Sequence, residues 1–381
     1  MNRVKIATGL RRMAVGHALV LMYAGVAVAG APAPPPTTGS GPHQPQHQVA
    51  SLGDLSFENG AVVKDFRVSY VTHGALNANK DNVVLVMHHY FGDHHSFDFL
   101  IGAGKTLDTD KYFIVASDFL GNARLRDDLT TGPTNSGLKI DFPRYTLRDS
   151  VSAEYKLLKE HLGVDHVLAV IGTSVGAMKA YQFGVSYPTY VHGIVPIMGT
   201  PVTRPQTRAM VENWMEMIEL DSGWYGGKYD TNPTRGIDVA VGSLFTWLRT
   251  NRWFATSLKT PDDYRAWRSG RNALLRSSPF DARDYYYGLQ AWATFSVGDT
   301  PGFGGDAKAA LASIKAHALI IGAKDDQLFN RDEAVFAKAN ITKATYIEID
   351  SALGHAACCG FDPEATKIMS REIASFLSKL R

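Results

Sequence analysis

Three residues have the types and the order that acyl chemistry requires: Ser174, Asp326 and His355. Ser174 is the centre of Gly172-Thr173-Ser174-Val175-Gly176, a G-x-S-x-G pentad. A serine hydroxyl is a weak nucleophile until a base takes its proton. A histidine can be that base, and a carboxylate can hold its tautomer and stabilise the imidazolium that forms. The order serine, acid, histidine is the one used where the nucleophile sits on a strand-to-helix elbow. Asp325 is a competing acid beside Asp326.

The pentad means little without elements that position it. Val167-Leu168-Ala169-Val170-Ile171 is a short apolar run, predicted to be a buried strand ending just before the pentad, and Ala177 to Tyr187 is predicted to be the helix after it. Small residues around Ser174 permit a tight turn that lifts Oγ above a sheet. Further buried strands are predicted at Val83–Met87, Tyr112–Val115, Gly193–Met198, Ala318–Ile321 and Ala344–Ile349. Helices are predicted over Thr146–Leu162 and Pro363–Leu380. Asp326 follows the strand at Ala318–Ile321, and His355 follows the strand ending at Ile349. Both would share the sheet edge that carries Ser174. Continuous apolar strands alternating with helices imply a mostly parallel, doubly wound sheet covered on both faces: an α/β-hydrolase fold. The stretch 200–299 breaks the alternation and is rich in Trp, Tyr, Arg and Met. It reads as a helical lid over the strand C-termini, with 51–199 and 300–381 as the core.

An oxyanion needs two N–H donors. Val175 supplies one, and the loop His88-His89-Tyr90-Phe91-Gly92 is expected to supply the other. His88, His89, His94 and His95 enrich this region, but acidic partners at ligand spacing are thin apart from Asp93. No metal and no cofactor is expected. Cys358 and Cys359 are the only cysteines and are adjacent, which excludes a conventional disulfide framework.

The N-terminus follows a different logic. Arg3, Lys5, Arg11 and Arg12 precede an apolar run from Met13 to Ala29 that closes on Ala27-Val28-Ala29, the order of a secretory signal. Residues 1–29 are therefore expected to be a cleaved signal peptide, leaving no stable membrane span. Residues 30–50, rich in Pro, Gly, Gln and Thr, are expected to be a flexible linker. A periplasmic or secreted location follows. The 381-residue chain has a formal net charge of only +2 and no long basic run, so nucleic acid is not an expected partner. A small-molecule acyl substrate suits the balance.

Several longer segments resemble the homoserine O-acetyltransferase family of α/β hydrolases. They include Tyr70-Val71-Thr72-His73-Gly74-Ala75-Leu76-Asn77-Ala78, Leu107 to Phe113, Phe142-Pro143-Arg144-Tyr145-Thr146-Leu147-Arg148-Asp149, Asp326-Gln327-Leu328-Phe329 and Gly354-His355. The resemblance spans about Val68 to Leu380. It implies that Tyr90 is the oxyanion residue of the first loop, that the lid covers a tunnel, and that the family chemistry is acetyl transfer from acetyl-CoA through an acyl-serine. Relatives of this type are often dimers, which leaves a homodimer open. Three departures stand out. The elbow reads Gly-Thr-Ser-Val-Gly-Ala-Met instead of Gly-Gly-Ser-Met-Gly-Gly-Met. Ala356-Ala357-Cys358-Cys359 replaces Asp-Ala-Phe-Leu after the histidine. Val241 stands where the family places an arginine on the homoserine carboxylate. Arg235 and Arg249 are the nearby alternatives for that role.

Export would separate the protein from acetyl-CoA, and an acyl-serine without an acceptor alcohol is resolved by water. The leading expectation is an exported serine hydrolase of carboxylic esters or related acyl compounds. The alternatives are an acyltransferase acting on a small alcohol and a non-catalytic binding protein of the same fold.

Overall fold

The computed structural model describes residues 47–118, 120, 130–277 and 281–380. The expected signal peptide and most of the expected linker lie outside them. Among the described residues, no helix is long and apolar enough to cross a membrane.

The centre is an eight-stranded sheet. In chain order the strands are β1 (Gln48–Ser51), β4 (Arg67–His73), β5 (Val83–Met87), β6 (Phe113–Ser117), β7 (Val167–Thr173), β8 (Val191–Ile197), β9 (His317–Ala323) and β10 (Ala344–Ile349). β2 (Leu55–Ser56) and β3 (Val62–Val63) form a separate small hairpin. The spatial order is β1-β4-β6-β5-β7-β8-β9-β10. β4 is antiparallel to both its neighbours, while the pairs from β6 through β10 are parallel. β1 begins inside the stretch expected to be linker. Gln48, Val49 and Ala50 fall in the expected linker, yet they pair with Tyr70, Ser69 and Val68. Ala50 is fully buried, so this edge belongs to the folded core.

β5 and β7 are buried along their whole length, as their uninterrupted apolar runs require. Alternate residues of β5 enter opposite layers: Val83, Leu85 and Met87 join one apolar cluster, and Val84 and Val86 the other. The first layer holds α1 (Leu147–Lys156, continued by a π-turn to His161) and α2 (Val175–Ser186). Thr146 caps α1 reciprocally with Asp149. The second layer holds the C-terminal helix Pro363–Ser378, whose Ala365, Met369, Ile373 and Leu377 recur every four residues and are all buried.

Between β8 and β9 the chain leaves the sheet for a run of helices. These are α3 (Pro205–Glu219), α4 (Thr234–Trp247), α5 (Asn251–Ser257), α6 (Pro261–Ser277) and α7 (Ala282–Ala293). Their aromatic residues fix them to one another and to the core. Trp214 is fully buried against Trp292, and the Tyr287 hydroxyl donates to the Phe142 carbonyl at 2.8 Å.

Candidate active site

Ser174 lies between the end of β7 and the first turn of α2. Its φ of 56° and ψ of −120° are a conformation that non-glycine residues rarely adopt. Such strain costs about 1–3 kcal/mol and survives only where its surroundings hold it. Here the Ser174 N–H donates to the Ile197 carbonyl on β8 at 2.9 Å, and the Ser174 carbonyl accepts from Ala177 N at 2.9 Å. The pentad's glycines answer to space. A Cβ on Gly172 would lie 2.0 Å from the Gly176 carbonyl oxygen, and one on Gly176 would lie 2.1 Å from that of Met87. The elbow can therefore close only with glycine at both positions.

His355 follows β10 in a 3-10 turn, Gly354–Cys359. Its Nε2 lies 2.9 Å from Ser174 Oγ, and its Nδ1 lies 2.8 Å from Asp326 Oδ2. All three residues are at most 5% exposed, so water competes little for these bonds. The other oxygen of Asp326, Oδ1, accepts from the backbone N–H groups of Leu328 (2.8 Å) and Phe329 (3.0 Å). That fixes the carboxylate in its turn. The Phe329 ring packs against the imidazole at 5.3 Å. Asp325 points elsewhere: it is half exposed and 3.9 Å from Arg252.

The expected oxyanion residues flank this relay. Val175 is the first residue of α2, so its N–H has no acceptor within the helix. Tyr90 lines the same pocket, but its hydroxyl is buried in the lid, donating to the Tyr285 carbonyl. Gly288 leaves room for the Tyr90 ring, since a Cβ there would lie 2.8 Å from it. The phenol is thereby committed to holding the loop, and only the Tyr90 backbone is left to serve an oxyanion. Burial lowers the His88 pKa to about 3, so this ring is neutral and structural. Its Nδ1 lies 2.8 Å from the His89 carbonyl.

Ser174 and His355 open into a small cavity that is partly open to solvent. Phe91, Leu244, Leu248, Trp292, Leu328 and Ala356 make most of its wall; His89 and Cys359 add polar atoms. Among the described residues that line it, none is Lys, Arg, Asp or Glu. Val241 is fully buried in α4. Arg235 is exposed, and Arg249 is buried 5.3 Å over the Trp253 ring; neither lines the cavity. Of the lid aromatics, Trp214, Trp224, Tyr229 and Tyr285 are buried and absent from the cavity wall. Trp292, which the sequence reading did not pick out, does line it. Cys359 was also missed as a lining residue, although its position four after His355 in a tight turn was the available signal. Cys358 and Cys359 are free thiols with sulfurs 3.0 Å apart.

Behind the elbow lies a buried ion pair. Lys179 of α2 donates to Glu154 Oε1 at 2.5 Å, and Ser117 Oγ donates to the same oxygen at 3.2 Å. Burial lowers the lysine pKa and raises that of the glutamate, each against the pull of its partner.

Comparison with known proteins fits this geometry. The alpha/beta hydrolase fold family matches residues 82–358. Homoserine O-acetyltransferase of Methanosalsum zhilinae is 33% identical over 79% of this chain and 67% of its own length. The chain belongs to the homoserine O-acetyltransferase family of α/β hydrolases. The family's solved structures include a homoserine O-acetyltransferase from Bacillus anthracis, similar with a TM-score of 0.80 and 25% identity over 87% of this chain and 97% of that one. The acetyl esterase MekB is similar with the same TM-score, 0.80, and 25% identity over 88% and 97%. Transfer and hydrolysis thus occur among relatives of equal structural likeness, and the backbone does not separate them.

Proposed function

We propose that this protein is a serine esterase that hydrolyses small carboxylic esters through an acyl-serine, and that it acts outside the cytoplasm. The observation that carries the reading is the Ser174–His355–Asp326 hydrogen-bond chain opening into an apolar cavity that, among the described residues, no Lys or Arg lines. An acceptor such as homoserine brings a carboxylate, which ordinarily needs a paired arginine when buried. A neutral ester needs none.

The chemistry follows from the atoms. Ser174 Oγ attacks the ester carbonyl carbon while His355 Nε2 takes the hydroxyl proton. As the new C–Oγ bond forms, the carbonyl π pair moves onto its oxygen, and that oxyanion is met by the Val175 and Tyr90 N–H groups and the positive end of α2. Collapse expels the alcohol, which takes the proton back from His355. Water then enters, and its oxygen attacks the acyl carbon as His355 takes its proton; collapse breaks the acyl carbon–Oγ bond, His355 returns the proton to Ser174 Oγ, and the acid leaves. Asp326 holds the imidazole in the tautomer that presents a lone pair at Nε2. Export rests on the charge and apolar pattern of residues 1–29.

Acyl transfer is the second reading, favoured by the names of the curated relatives, among them that of Methanosalsum zhilinae. The test is turnover of p-nitrophenyl acetate by the chain from Gly30 onward, with and without L-homoserine. Serine-dependent release of acetate, unaffected by homoserine, is the expected result, and Ser174→Ala should lower it by at least about 10⁴-fold. O-acetylhomoserine formed at the expense of acetate would replace the esterase reading with the transferase one.

A further inference from the structure

Away from the Ser174 cavity, three imidazoles converge. His94 and His95 lie in the segment after β5, and His47 immediately precedes β1. One ring nitrogen from each falls within 4.8 Å of the other two. The His47 and His94 rings meet edge to face with centroids 4.0 Å apart, and those of His94 and His95 are 4.1 Å apart. The β1–β4 register, with Gln48 opposite Tyr70, brings His47 to this place.

Two of the rings are oriented from behind. His94 Nδ1 is 2.8 Å from Asp118 Oδ2, and His95 Nδ1 is 3.0 Å from Asp98 Oδ2. The His94 backbone N–H also donates to Asp118 Oδ1 at 2.9 Å, which locks that carboxylate in place. A carboxylate on one ring nitrogen selects the tautomer whose other nitrogen carries the lone pair, and raises its basicity. The nitrogens so presented, Nε2 of His94 and of His95, are buried and make no hydrogen bond among the described residues. An unsatisfied buried polar atom is costly, about 1–3 kcal/mol. Both rings lie in one cluster with the His47 ring.

We propose that His47, His94 and His95 are the ligands of a divalent transition-metal site, with zinc the reference ion. Neutral imidazoles favour Zn²⁺, Cu²⁺ and Ni²⁺ over Mg²⁺ and Ca²⁺, which prefer oxygen. Three ligands leave one tetrahedral position for water. Tetrahedral zinc with Zn–N bonds of about 2.0–2.1 Å sets its nitrogens about 3.4 Å apart. The rings must therefore draw together by side-chain rotation when the ion enters. His47 brings the edge strand and His94 and His95 bring the segment that begins at Tyr90, so the ion would clamp the first strand of the fold onto the loop beside Ser174. The site is independent of the reaction proposed for Ser174.

The test uses the purified full chain, stripped with chelator and then titrated with ZnCl₂ at pH 7.5. Binding is followed by calorimetry, and stability by the melting temperature. About one zinc per chain and a rise in melting temperature with zinc concentration are expected, with no response to MgCl₂. His47→Gln, in a half-exposed residue at the sheet edge, should weaken binding at least tenfold while leaving the circular dichroism spectrum unchanged. His95→Gln should do the same, and Co²⁺ on the wild type should give the visible absorption of nitrogen ligation. Failure of the wild type to bind zinc overturns the proposal. So does stoichiometric binding that is unchanged in both variants, because the ion would then be held elsewhere.

Discussion

Asp326 and His355 stand 29 positions apart on loops that follow neighbouring parallel strands, and their side chains meet with Oδ2 2.8 Å from Nδ1. Parallel pairing of β9 and β10 puts both loops on one edge of the sheet, where β7 delivers Ser174. Asp326 is buried and takes two further backbone N–H bonds, whereas the adjacent Asp325 is half exposed toward Arg252.

The two aspartates should therefore respond differently to the same substitution. Asp326→Asn keeps the shape but favours the wrong imidazole tautomer, and should cut kcat by about 10⁴-fold. Asp325→Asn should leave kcat within about twofold of wild type. Steady-state kinetics on p-nitrophenyl acetate checks both, and equal losses would refute the assignment of the acid.

The Lys179–Glu154 pair predicts a non-additive pattern of stability. Lys179→Met leaves a buried carboxyl without its cation and should cost about 3–5 kcal/mol. Adding Glu154→Leu should recover most of that loss, since it removes the stranded group. Urea denaturation of the two single variants and the double variant measures the coupling. Additive losses would mean that the pair is not a unit.

Glu333 predicts a pH dependence. Its pKa is raised to about 8, chiefly by burial; Thr200 and Arg204 pull it down, and the charges of Asp326 and Asp332 push it up. The folded state therefore holds a proton that the unfolded chain releases near pH 4.5. Stability from this group is fully present below that pH and is lost as pH rises toward 8. Glu333→Gln, a neutral mimic of the protonated acid, should melt like wild type near pH 4. It should become more stable than wild type as pH rises, by up to a few kcal/mol. A wild type that gains on the variant between pH 5 and 8 would reverse the sign and refute the account.

Much of the core was legible because it depends on local pattern. The strand runs, the elbow glycines and the helix from Thr146 all follow from patterns over a few residues. His47 was not legible as part of anything: it lies in a Pro- and Gln-rich stretch read as tether, and only the pairing of β1 with β4 gives it neighbours. The carboxylates missing around the loop histidines proved to be Asp98 and Asp118, the latter delivered by a different strand. Among the lid aromatics, composition gave no reason to separate Trp292 from Trp214. Helix packing turned the first toward Ser174 and the second into the core.

The sequence by itself determined the layered α/β architecture and the order Ser174, Asp326, His355, because periodicity, glycine placement and chain order are properties of short windows. Tertiary structure decided which aspartate hydrogen-bonds His355, that no arginine among the described residues lines the cavity, and that His47 joins His94 and His95. Those outcomes depend on the direction each side chain takes after strands distant in sequence pair. A one-residue change of register or turn reverses that direction, and no local composition records it.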